Sequence, residues 1–126
     1  MKKIIAIVIV GLMLMLVGGV ASAHGTKSIT NNSLVVGGGT ALGKGTFTTG
    51  NAGHIEIYVT VVMYRDGNVA ASNTTDCRSS AGLCTKVTVK KSITCNPGHT
   101  AQAVITGVVF TPNEGSVQWA SAVKNC

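Results

Sequence analysis

His54-Ile55-Glu56-Ile57-Tyr58-Val59-Thr60-Val61-Val62-Met63-Tyr64 reads with a period of two. Ile55, Ile57, Val59, Val61 and Met63 fall on one side. His54, Glu56, Tyr58, Thr60, Val62 and Tyr64 fall on the other, the alternation of a strand with one face on a core. Asp66-Gly67 follows where a tight hairpin turn needs positive φ, and Val69-Ala70-Ala71 is the expected return.

Towards the C-terminus the same period continues. Thr85 to Ile93 sets Lys86, Thr88 and Lys90 outward against Val87, Val89 and Lys91. Asn96-Pro97-Gly98 is a turn, Ala101 to Phe110 a strand, Pro112-Asn113-Glu114-Gly115 a turn, and Ser116 to Lys124 the last strand, with the only Trp. Before His54, Ser33 to Val36 and Thr46 to Thr49 are short strand candidates, separated by Gly37-Gly38-Gly39 and Gly43-Lys44-Gly45. Residues 38–45 nearly spell a phosphate loop, but Gly45 stands where Ser or Thr must reach magnesium and no helix follows. A flexible glycine loop is expected there. Six or seven short strands without a helix predict an all-β fold, an immunoglobulin-like antiparallel two-sheet sandwich. Its expected core is Ile55, Ile57, Val59, Val61, Val87, Val89, Ile105 and Trp119.

Ahead of this domain, Lys2 and Lys3, the apolar run Ile4 to Val20 and the small-x-small site Ala21-Ser22-Ala23 have the layout of a secretory signal peptide. Residues 1–23 are read as a helical signal peptide and 24–126 as a single disulfide-stabilised domain, extracytoplasmic and beginning at His24. The competing reading is an uncleaved anchor, the only route by which a membrane is expected to be touched.

Removing the leader lowers the net charge from +6 to +4. The rest is rich in Thr, Val, Gly, Asn and Ser and poor in strong helix formers, a strand vocabulary. Its basic residues are scattered and its aromatics few, so nucleic acid is not an expected partner. Weak attraction to acidic polymers is.

All four cysteines lie in the exported part. An even number in an oxidising compartment predicts two disulfides. Three connectivities are open. The favoured one closes the small loop Cys77–Cys84 and pins the C-terminus through Cys95–Cys126. A zinc site would want close C-x-x-C pairs, which are absent.

The hairpin Ile55 to Ala71, the loop Cys77 to Cys84, the corner Cys95-Asn96-Pro97-Gly98 and the closing Cys126 together resemble small exported β-sandwich domains of Gram-positive bacteria. That resemblance implies the fold and no particular activity. A mature chain starting His24-Gly25 resembles the histidine-brace copper proteins, the periplasmic carriers and the lytic polysaccharide monooxygenases. The resemblance implies that the His24 amine and imidazole chelate one Cu(II), with His54 or His99 as second imidazole and Glu56 and Tyr58 in an outer shell. The chain is much shorter than the monooxygenases and shows none of their internal motifs.

No G-x-S-x-G elbow, free nucleophilic cysteine or paired carboxylates mark a catalytic centre. Asn73-Thr74-Thr75 is a glycosylation sequon in a chain whose leader looks bacterial. The leading expectation is a secreted, non-catalytic binding or structural module. It would present Tyr58 and Tyr64, or Lys86 and Lys90, to a cell-wall polymer, another extracellular protein or its own copies. The alternatives are the copper protein and a secreted inhibitor or antimicrobial, the inhibitor using Arg78 in the Cys77–Cys84 loop.

Overall fold

The computed structural model describes residues 27–50, 53–111 and 113–126. The signal-peptide reading and His24 lie outside them. Eight strands follow: β1 Lys27–Gly37, β2 Thr40–Thr49, β3 Glu56–Arg65, β4 Asn68–Arg78, β5 Lys86–Thr94, β6 Thr100–Thr111, β7 Gly115–Ala120 and β8 Lys124–Asn125. No helix occurs among the described residues. One sheet has the order β1-β2-β5, the other β4-β3-β6-β7, with β8 pairing β6 beyond the end of β7. The named strands pair antiparallel throughout. The fold is a two-sheet sandwich. Its fourth strand lies beside the third, as the extra C′ strand does in immunoglobulin-like domains.

The decisive alternation holds from Glu56 onward. Ile57, Val59, Val61 and Met63 are fully buried between the sheets, with Phe47, Val89, Ile105 and Val109. Val87 and Trp119 pack half-buried against them. The alternation fails at its first two residues. Ile55, expected in the core, is 43% exposed, and His54, expected outside, is 2% exposed. The chain bends at Ile55, and His54 bridges Leu83 instead of continuing β3, so the facing inverts there.

The glycine stretch also differs from expectation. Gly38 and Gly39 take positive φ and turn β1 into β2. Gly43-Lys44-Gly45, read as loop, lies inside the unbroken β2. A Cβ at Gly43 would stand 2.5 Å from Met63 Sδ, and one at Gly45 2.6 Å from Ile105 Cδ1. These glycines let the sheets close over large side chains, a known use of strand glycine. Gly107 does the same for the Phe47 ring.

Other corrections are local. Asp66 and Gly67, at φ 54° and 77°, form the expected turn, but the return strand β4 is much longer than Val69-Ala70-Ala71. The last strand breaks after Ala120, where Ser121 Oγ accepts from the Ala103 amide, and resumes as β8. The sandwich's open sides are closed by side chains. Asn73 Nδ2 donates to Lys90 O at 3.0 Å and Thr75 Oγ1 to Thr88 O at 2.6 Å, joining β4 to β5. On the far side Lys124 Nζ donates to Leu34 O at 2.7 Å. Such capping blunts strand edges that would otherwise pair with other chains. The disulfides are Cys77–Cys84 and Cys95–Cys126.

Candidate binding site

β3 points Glu56 and Tyr58 out of the five-stranded sheet, and its register with β4 sets Arg78 opposite Glu56 and Asp76 opposite Tyr58. On the other flank the register slips. Glu56 faces Thr111 while Ile57 faces Val109, leaving Phe110 as an extra, unpaired residue. Such bulges bend a strand and re-aim a side chain. Here the side chain is Phe110, 57% exposed.

The result is an open depression of about 420 Å³ lined by Glu56, Tyr58, Thr74, Asp76, Arg78 and Phe110. The Tyr58 and Phe110 ring centroids are 6.3 Å apart with planes tilted by 47°. Arg78 Nε donates to Asp76 Oδ2 at 3.0 Å and stands 3.0 Å from Glu56 Oε1. Two carboxylates therefore hold one guanidinium, leaving a local charge of about minus one beside two aromatic rings. Apolar ring faces bordered by fixed polar groups are the usual make-up of a recognition site.

Of the residues singled out from sequence, Glu56, Tyr58 and Arg78 come together here. Arg78 ends β4 rather than standing free in the Cys77–Cys84 loop, and its Nε is committed to carboxylates. Tyr64 lies on the same face near the far end of β3, and burial raises its phenol above the ordinary value. Lys86 and Lys90 belong to the other sheet. Phe110 and Asp76 were not anticipated, because a bulge leaves no mark in hydrophobic periodicity.

The two histidines among the described residues, His54 and His99, occupy opposite ends of the sandwich. His54 is buried at the start of β3, with Nε2 3.0 Å from Glu114 Oε1. Lys27 Nζ reaches the same oxygen at 3.0 Å. Burial works to raise the Glu114 carboxyl. Hydrogen bonds from His54 and Lys27, together with their charges, outweigh it and hold the group below the usual carboxylate range. His54 Nδ1 is buried without a hydrogen-bond partner among the described residues. The reading of His54 as a surface ligand is thus corrected: its imidazole is part of a buried ionic cluster.

His99, beyond the other end of β3, places Nδ1 2.6 Å from Asp66 Oδ2, while the Thr100 amide donates to Asp66 Oδ1 at 2.9 Å. The hydrogen bond from His99, then the one from Thr100, lowers the Asp66 carboxyl. With β3 between them, His54 and His99 are separated by roughly 30 Å and cannot share one ion. Among the described residues no three His, Cys, Asp or Glu side chains converge as a metal site.

No family model matches the chain, and no curated protein matches it. Solved structures that resemble it include a Bacteroides uniformis beta-glucuronidase, at 13% identity and TM-score 0.47, where the likeness covers 75% of this chain and 12% of that one. The R. palustris protein CsgH is similar at 13% identity and TM-score 0.43, over 75% of this chain and 88% of the other. The E. coli curli protein CsgC is similar at 14% identity and TM-score 0.43, over 75% and 97%. This chain spans only about an eighth of the glucuronidase. At such identity and superposition nothing about activity carries over from any of them.

Proposed function

We propose that the chain is an extracytoplasmic, non-catalytic binding module whose contact surface is the depression between Tyr58, Phe110 and the Glu56–Asp76–Arg78 cluster. The supporting observation is the β6 bulge, which holds a large apolar ring in water beside a second ring and three charged groups. Phe110 is 57% exposed, and covering the rest of it is worth about 1–2 kcal/mol. A partner that covers it would recover that energy. Two disulfides in so small a domain suit an oxidising compartment.

The ligand class that fits best is a carbohydrate polymer. The C–H faces of sugar rings lie on aromatic rings, and their hydroxyls donate to carboxylates and accept from guanidinium. A screen of the disulfide-intact protein against arrayed polysaccharides tests this. The expected result is retention on at least one neutral glycan, weakened about tenfold by Phe110→Ala and by Tyr58→Ala. Retention of no glycan, or equal retention by both variants, would remove the reading.

A further inference from the structure

The depression between Tyr58 and Phe110 carries a charge imbalance that an uncharged sugar leaves unanswered. The chain has four Asp and Glu side chains. Glu114 is held by Lys27 and His54, and Asp66 by His99, whereas Glu56 and Asp76 share the single guanidinium of Arg78. An arginine Nε carries one proton, and Arg78 donates it to Asp76 Oδ2. Glu56 Oε1, 3.0 Å from the same nitrogen, feels the positive charge but accepts no hydrogen bond among the described residues. The Glu56 side chain is only 20% exposed, against 75% for Arg78. A carboxylate withdrawn from water with lone pairs to spare favours a donor that also brings positive charge.

The two rings favour the same charge. Aromatic faces attract an ammonium group lying within about 6 Å of the ring centre. Glu56 and Tyr58 are alternate residues of β3, about 7 Å apart along one face. Phe110 borders the same depression, its ring centroid 6.3 Å from that of Tyr58. A hexose stacked on Tyr58 brings an exocyclic substituent towards Glu56. A hydroxyl or an N-acetyl amide there supplies one donor and no charge. A protonated amine supplies three donors and cancels the local excess of negative charge. The chain is basic overall, at +6, but no lysine lines the depression. Charges beyond the screening length of about 8 Å at physiological salt act on it weakly.

We infer that the glycan seated on Tyr58 and Phe110 is one of free-amine sugars, with the Glu56 carboxylate as the acceptor of its ammonium group. This rests on the glycan reading of the depression and narrows it to a cationic polymer.

The test is calorimetric titration of the disulfide-intact protein, at mildly acidic pH, with three β-1,4-linked pentamers: glucosamine, N-acetylglucosamine and glucose. The glucosamine pentamer should bind about fivefold or more tightly than either neutral one, and the ratio should shrink as salt is added. Glu56→Gln should bring the ratio to about one, and Arg78→Gln, which leaves two carboxylates unbalanced, should raise it. Those opposite directions separate charge from lost packing, and thermal midpoints confirm that each variant is folded. Equal affinity for all three pentamers, with all weakened by Phe110→Ala, would overturn the inference and leave the glycan reading standing. Binding of none of them would overturn the inference, while the polysaccharide screen decides the reading beneath it. A glucosamine preference that survives Glu56→Gln would also overturn it. So would tighter binding of pentalysine than of the glucosamine pentamer, which would assign the site to a basic peptide.

Discussion

Lys27 Nζ lies 3.0 Å from Glu114 Oε1, and both side chains are almost wholly buried. The pair ties the start of β1 to the β6–β7 turn, and His54 joins it to the segment before β3. Removing one partner from such a cluster leaves the others desolvated and unmatched. Glu114→Gln should therefore destabilise the fold by roughly 1.5–3 kcal/mol, read from denaturant midpoints.

The same cluster sets a pH dependence. Glu114 and Asp66 both have carboxyls lowered in the folded state, by partners the unfolded chain lacks. A lowered folded value gives stability that is present above the unfolded carboxylate range of about 4. It is lost as pH falls through the folded values. Unfolding midpoints should hold steady from neutral pH to about 5 and decline below about 4. Glu114→Gln should flatten part of that decline, and an unchanged acid limb would show that the cluster is not its source.

The two disulfides should contribute unequally. The Cys95–Cys126 bridge spans 31 residues and Cys77–Cys84 spans 7. Chain-entropy estimates give about 3–4 kcal/mol for the first and about 2–2.5 for the second. Paired Cys→Ala variants, melted separately, should show that order. The intact oxidised mass should lie four hydrogens below the reduced one.

Gly107 is predicted to tolerate no side chain. A Cβ there would stand 2.4 Å from the Phe47 ring, and Phe47 is fully buried. Gly107→Ala should cost about 1–3 kcal/mol through overpacking. Combining it with Phe47→Leu should return part of that loss, measured as coupling between the two sites.

Much of this fold was legible because strand periodicity records burial directly. Ile57 to Met63, the Asp66-Gly67 turn and the presence of two disulfides could be read from residue types and spacing, while the structure selects the favoured pairing among the three open ones. What could not be read depended on neighbours distant in sequence. Gly43 and Gly45 look like loop glycines until Met63 and Ile105 are placed above them. His54 looks like a wet strand residue until Glu114, sixty positions away, is beside it. Within the site, Tyr58 and Arg78 were visible as an exposed aromatic and a loop-side cation. Phe110 joined them only through a slip of one residue between β3 and β6, which no local pattern encodes.

On the proposed reading, the face bearing Tyr58 and Phe110 is where this domain meets its ligand. The most direct measurement is an amide-resolved NMR titration of the disulfide-intact protein with the best-retained glycan. Shifts should concentrate at Glu56–Tyr58, Thr74–Arg78 and Val108–Thr111 and be absent from Phe110→Ala. Shifts confined to the opposite sheet, or unchanged in Phe110→Ala, would contradict that reading.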